Sequence, residues 1–179
     1  MSHRDELLRE LDHPGQGGDH QVETLIQALE QEEPADLGRQ LALLAGVWEL
    51  RWSSSRLPYL LVAPWLENLQ ILLPEAGRGM NLLRPAGPLG ALAAISIEAS
   101  LAVVGPQRVS VSFQKGGWLG PRFGDQRLRL FRTVRQPFPA WLDITVLDQD
   151  LRICRGNAGT LFALRRRAEL RPHDFLAAA

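Results

Sequence analysis

Residues 141–164, Trp-Leu-Asp-Ile-Thr-Val-Leu-Asp-Gln-Asp-Leu-Arg-Ile-Cys-Arg-Gly-Asn-Ala-Gly-Thr-Leu-Phe-Ala-Leu, constrain the fold more than any other stretch. Trp141 to Leu147 is rich in β-branched and aromatic residues, which suit a pleated, half-buried surface. Asp148-Gln149-Asp150 is turn chemistry, because short acidic side chains bond nearby backbone N–H groups. Leu151 to Arg155 alternates apolar and charged, the mark of a strand with one wet face. Gly156-Asn157-Ala158-Gly159 tolerates positive φ, and Thr160 to Leu164 returns as a third strand. Two tight turns with no helix between them require antiparallel pairing.

The same signals recur upstream. Gly46 to Ser55 reads as a strand with Trp48, Leu50 and Trp52 on one face and Val47, Glu49, Arg51 and Ser53 on the other. Leu57 to Leu66, with Pro58 and Pro64, reads as an irregular segment or short helix crossing one mouth of a barrel. Asn68 to Leu73 and Met80 to Leu83 flank a loop containing Gly77-Arg78-Gly79, which lacks the spacing of a dinucleotide fingerprint. In Leu92 to Val104, Ile95, Ile97, Leu101 and Val103 point one way and Ala94, Ser96, Glu98 and Ser100 the other. Small residues of that kind leave room for a ligand if they face inward. Arg108 to Lys115 alternates most regularly, and Gly116 to Pro121 reads as a loop carrying Trp118 at a rim, where tryptophan suits a ligand entrance or membrane interface. Arg127 to Val134 is the next strand, and Gln136 to Ala140 breaks it.

Helical periodicity is confined to the N-terminus. Leu7, Leu8 and Leu11 mark a short helix over Arg4 to Leu11, and Asp12 to Gly18 is a linker. Asp19 is placed to cap a second helix with Val22, Leu25, Ile26 and Leu29 in one stripe, ending at Glu32-Glu33-Pro34. Asp36 to Leu44 suggests a third helical turn. The expected organisation is a helical segment over 1–40, a barrel over 41–167 and a frayed polar tail over 168–179. About eight strands with short turns make the fold mainly β, an antiparallel barrel preceded by one to three α-helices and able to enclose one small ligand.

Formal charge balances, but acids far outnumber bases up to Gln40, so the rest of the chain is net basic. Nearly every base is arginine, and Lys115 is the sole lysine. Arginines solvating the outer face of a sheet explain this better than an anionic membrane surface or nucleic acid does, and Arg165-Arg166-Arg167 reads by default as a solvated run, with lipid phosphates as the other reading. No motif interleaves the arginines with aromatics for nucleic acid. Cys154 is the lone cysteine, so no internal disulfide forms. Arg152 and Arg155 beside it can lower its pKa, yet no histidine is near in sequence to serve as its base. The start, Met1-Ser-His-Arg-Asp-Glu, lacks the order of a signal peptide and is too acidic for a transit peptide, and no run is long enough to span a membrane as a helix. The expected location is cytoplasmic, soluble or peripheral to a membrane.

Two segments resemble a family. The pattern Trp141-Leu142-Asp-x-Thr-x-Leu-Asp148-x-Asp150-Leu151-Arg152-Ile-x-Arg155-Gly156-Asn-x-Gly159-Thr-Leu-Phe resembles the C-terminal signature of the plastid-lipid-associated proteins, or fibrillins. Leu44-Ala-Gly46-Val-Trp48-Glu-Leu50-Arg-Trp52-Ser resembles their N-terminal signature. The resemblance covers roughly residues 20–165. It implies a lipocalin-like barrel holding a lipid or prenylquinone-type molecule, a cyanobacterial-type member, peripheral contact with thylakoid membranes, and a prenyl diphosphate synthase as a possible partner. Gly46-x-Trp48 is also similar to lipocalins, whose tryptophan closes the barrel floor; Arg155 or Arg165 is placed to stack on its ring.

The expected function is therefore binding of a hydrophobic molecule in a cavity lined by Trp48, Leu50, Trp52, Val111, Phe113 and Leu130. Asp143 or Thr145 would orient a headgroup, unless Asp143 pairs structurally with Arg152 or Arg155. The alternatives are an accessory partner of a prenylquinone-biosynthesis enzyme, which the resemblance implies, and, behind it, an enzyme using Asp143, Asp148 and Asp150. No cofactor or metal motif is present, and His3, His13, His20 and His173 all lie near the termini.

Overall fold

Alternating apolar strands bury their inner faces only by curling onto themselves, and eight strands of this chain do so. The computed structural model describes residues 2–13, 18–124, 126–134 and 140–176. The middle of the first linker (14–17), the 136–139 break and the last three residues lie outside the described residues. The strands are β1 (Gly46–Ser53), β2 (Leu66–Leu73), β3 (Arg78–Pro85), β4 (Ala94–Val103), β5 (Arg108–Phe123), β6 (Gln126–Thr133), β7 (Ala140–Leu147), β8 (Leu151–Gly156) and β9 (Leu161–Arg166). Hydrogen bonds run around the circuit β1-β2-β3-β4-β5-β7-β8-β9 and close from β9 onto β1, every pair antiparallel. Closure leaves none of these eight strands with a free edge.

β6 stands outside the circuit, because it pairs with β5 alone. β5 is long enough to serve two neighbours on one side, β7 along Arg108–Val111 and β6 along Lys115–Phe123. The loop expected over Gly116 to Pro121 is therefore strand. Glycine keeps it so: a Cβ at Gly117 would sit 2.0 Å from the Leu130 carbonyl oxygen, and only a bare backbone allows that approach.

Three helices precede the barrel: α1 (His3–Asp12), α2 (Asp19–Glu32) and α3 (Leu37–Leu44). Gly18, not Asp19, is the N-cap of α2, while Asp36 caps α3 by accepting from the Gly38 N–H at 2.9 Å. α1 and α2 lay Leu7, Leu11, Val22, Leu25, Ile26 and Leu29 on the outer face of the barrel. They meet Val146, Ile153 and Ala163, which stand in register across β7, β8 and β9. Each fully buried side chain of this size stabilises the docking by about 1.5–3 kcal/mol relative to exposure. α3 plugs the barrel end where β1 begins, with Leu37, Leu41 and Leu44 against Trp48 and Leu164.

A second outer cluster corrects the expected tail. Leu170, Phe175 and Leu176 pack on Val47, Leu69, Ile71 and Leu82, and Leu176 is fully buried, so the chain to residue 176 is a strap rather than a frayed end. The three arginines before it are tied down. Arg165 pairs with Asp12 at 2.9 Å and Arg167 with Glu49 and Glu67, each at 3.1 Å. Neither a solvated run nor a phosphate site describes them.

Candidate functional site

The two halves of the barrel interior differ. In the lower half, above α3, Trp48, Leu50, Ile144, Cys154 and Leu164 are buried and pack into a solid floor. Trp48 donates from its indole N–H to the Leu44 carbonyl at 3.1 Å, joining the first strand to the plug. Arg166 lies 4.2 Å from the Trp48 ring centroid and donates to the carbonyls of Ala45 at 2.8 Å, Leu43 and Gln149. It satisfies carbonyls that the end of α3 leaves without helical partners. Arg152 also stands over Trp48, 5.1 Å from the centroid.

These two arginines replace Arg155 and Arg165 of the sequence reading, because neighbouring strand positions face opposite sides. Arg165 and Arg155 point outward, and Arg155 bonds Glu30 of α2 at 2.8 Å. Cys154 shares the floor. Burial pushes its thiol up, against the opposing pull of Arg152, so it is an inert packed group rather than a thiolate.

The upper half is hollow. A cavity of about 430 Å³ reaches from the floor to the mouth, the end where β2 starts and β3 finishes. Leu72, Leu101, Val111, Leu142 and Phe162 bound it, with Ile95, Ile97 and Phe113 along one wall. Ala99, Ala140 and Gly156 leave space that larger side chains would fill, while Leu101 packs over Gly79. Leu57, Tyr59 and Leu60 arch over the mouth as expected, and the Asn68 side-chain amide donates to the Tyr59 carbonyl at 2.9 Å to hold the arch.

Of the expected lining residues, Val111 and Phe113 line the cavity. Trp48 and Leu50 face inward but belong to the floor beneath it. Trp52 lies on the outer face under the helices, its indole N–H bonded to Asp19 at 3.1 Å. A β-bulge between Leu50 and Trp52 inverts the alternation there. Leu130 is on β6 and 63% exposed, outside the circuit. Thr145 sits at a second bulge and donates to the Ile153 carbonyl at 3.4 Å. Of the small residues of β4 expected to leave room for a ligand, Ala94 belongs to the outer cluster and Ser96 is buried outside the cavity lining.

The polar groups in the cavity include Tyr59 of the arch, Asn157 and Thr160 between β8 and β9, and, on β2 and β3, Asn68, Gln70 and Asn81, which the sequence reading missed. Their signal was present as Asn68-x-Gln70 alternating with Leu69 and Ile71. Alternation alone assigns such amides to a wet outer face; here the outer face is covered by the C-terminal strap, and they turn inward.

The profile of the PAP_fibrillin family matches residues 13–165. The chain belongs to this family. Among solved structures it is similar to a streptavidin-like protein from Bacteroides eggerthii DSM 20697, with 14% identity over 57% of this chain and 66% of that one and a TM-score of 0.39. No curated protein sequence matches.

The fibrillin signature residues are now placed. Trp141, Leu142 and Gly156 line the cavity, Leu151 lies under the helices, and Gly159 makes its turn with φ of 79°. Asp148 accepts from the backbone N–H groups of Asp150 at 2.7 Å and Leu151 at 2.8 Å, and from Arg4 at 2.6 Å. Burial works to raise its carboxyl, but these donors together hold it below the usual carboxylate range. Asp150 lies 3.4 Å from Arg4. Asp143 pairs with Arg108, not Arg152 or Arg155, through two bonds of 2.6 and 2.7 Å. That Arg108 bond holds the Asp143 carboxyl low, and the guanidinium stacks 3.9 Å from the Trp141 centroid. None of these three aspartates lines the cavity. Asp148 and Asp150 meet on Arg4 at the β7–β8 turn and Asp143 serves strand pairing with Arg108, all away from the cavity. Among the described residues no group of His, Cys, Asp and Glu is placed to hold a metal, and no helix is long and apolar enough to cross a membrane.

Proposed function

We propose that this fibrillin-family protein binds and carries a hydrophobic small molecule in the upper half of its barrel. The observation that carries this reading is the cavity itself: about 430 Å³, walled chiefly by aliphatic and aromatic side chains, open at one end and closed at the other by the Trp48 floor. Small-molecule sites have volumes of ~300–1,000 Å³ and this mixture of apolar wall and a few polar groups. Binding would be driven by transfer of apolar ligand surface out of water at roughly 25 cal/mol per Å².

The mouth supports a lipid-like ligand drawn from a membrane surface. Leu57, Tyr59, Leu61 and Trp65 are exposed around it, as are Leu89 and Leu92 beside the end of β3. Large apolar side chains gathered at one end suit peripheral contact with a membrane such as the thylakoid, from which a prenylquinone, carotenoid or acyl lipid enters. The test is titration of purified protein with plastoquinone, a carotenoid and a galactolipid, together with extraction of lipid retained on purification. Saturable binding of at least one is expected. Failure of all three to bind, with no retained lipid, overturns the reading.

A further inference from the structure

A buried positive charge without a counter-charge sits one hydrogen bond from the cavity. Arg152 is fully buried, no ion pair of its guanidinium is found among the described residues, and its Nε–H has no partner. An unpaired interior guanidinium is costly, so its surroundings are expected to supply acceptors. Two acceptors are present: the Cys154 sulfur, a weak and uncharged one while the thiol is protonated, and Gln70, whose Oε1 receives the Arg152 Nη2–H.

That bond fixes what Gln70 can offer. A guanidinium only donates, so the amide carbonyl must face Arg152. The Nε2 group, with two N–H donors, is then left for the cavity that Gln70 lines. Directly across the β2–β3 ladder stands Asn81, also in the cavity wall, and its side chain makes no hydrogen bond within the protein among the described residues. Beyond Asn81 in register comes apolar Ile97. The wall therefore holds a Gln70–Asn81 donor patch, the one backed by the buried Arg152 cation, in a largely apolar chamber whose other polar lining groups are Tyr59, Asn68, Asn157 and Thr160.

We infer that the cavity selects an amphipathic ligand with a carboxylate at one end, its oxygens accepting from Gln70 Nε2 and the Asn81 amide and its charge balancing Arg152. This rests on the carrier reading and narrows it: an unfunctionalised hydrocarbon would leave both amides dry and unpaired, and a neutral carbonyl would leave Arg152 uncompensated. Gln70 is a binding residue, and Arg152 a positioning residue acting through it.

The test is displacement of a fluorescent apolar probe from full-length protein by palmitic acid, methyl palmitate and hexadecane. The acid is expected to compete about tenfold or more better than its ester, as a charge-assisted bond requires, with hexadecane weakest. Gln70→Leu and Arg152→Met should each erase the acid's advantage over the ester. Should Arg152→Met fail to fold by circular dichroism, Gln70→Leu alone decides. Equal competition by acid and ester in the wild type, or an acid preference retained in Gln70→Leu, overturns the inference while leaving the carrier reading intact. Binding of no probe or competitor of any kind sinks the carrier reading itself.

Discussion

Gly46 opens β1 with φ of 148°, a backbone that side-chain-bearing residues take only under strain. A Cβ there would also fall 2.3 Å from the Arg166 guanidinium, which ties the floor to α3. Gly46→Ala is therefore expected to destabilise the protein by about 1–3 kcal/mol, read by chemical denaturation; a change under about 0.5 kcal/mol would contradict the role given to the Arg166 clasp. Asp148 gives a pH signature. Its folded carboxyl lies below its ordinary value, so the stability it contributes is fully present above the ordinary carboxylate range and is lost as pH falls through the folded value. Wild type should lose stability relative to Asp148→Asn as pH drops below ~4, and parallel acid-unfolding curves would show that the Arg4 clasp contributes nothing. The two arginines over Trp48 show how far residue-level reading reaches. Residue type and motif pointed to an arginine on that ring, but Arg166 rather than Arg165 takes the place because one step along a strand exchanges inside for outside.

At the scale of elements, α2 is held by its apolar stripe and the Arg155–Glu30 pair rather than by its own propensity. Ile26 is fully buried against the barrel, so Ile26→Ala should cost roughly 2–5 kcal/mol in denaturant unfolding without changing ligand affinity, since this face is remote from the cavity. A loss of affinity would mean that the helices shape the site. The stripe itself was legible because a 3.6-residue period leaves few alternatives. Strand faces were legible only until a bulge intervened. Trp52 was assigned to the cavity on a strict period of two and Thr145 as a headgroup ligand because it lies on a strand of the family-like stretch, and both sit where the register shifts. A bulge depends on pairing with a distant strand, which local alternation does not report. The continuation of β5 through Gly116-Gly117 was hidden for the same reason: the partner that makes glycine necessary is Leu130, on another strand.

For the whole molecule, the eight-strand closed barrel with three N-terminal helices followed from strand count, turn spacing and the two tryptophan-bearing motifs. The division into a solid floor and a hollow top did not, because it depends on which inward positions are small. Ala99, Ala140 and Gly156 come from three different strands and form no pattern along the chain. The fibrillin motif residues fall on both sides of this division: Trp48 and Leu50 build the floor, while Trp141, Leu142 and Gly156 line the chamber together with residues of β2 to β5. Filling the chamber without touching the floor tests this directly. Ala99 lies in the cavity wall, and Ala99→Trp would place an indole in that space. Titration of a fluorescent apolar probe into wild type and Ala99→Trp, with thermal melts of both, is the decisive measurement. Saturable binding by the wild type and its loss in a variant that still melts cooperatively is the expected result; undiminished binding by the folded variant would place the ligand elsewhere and contradict the account.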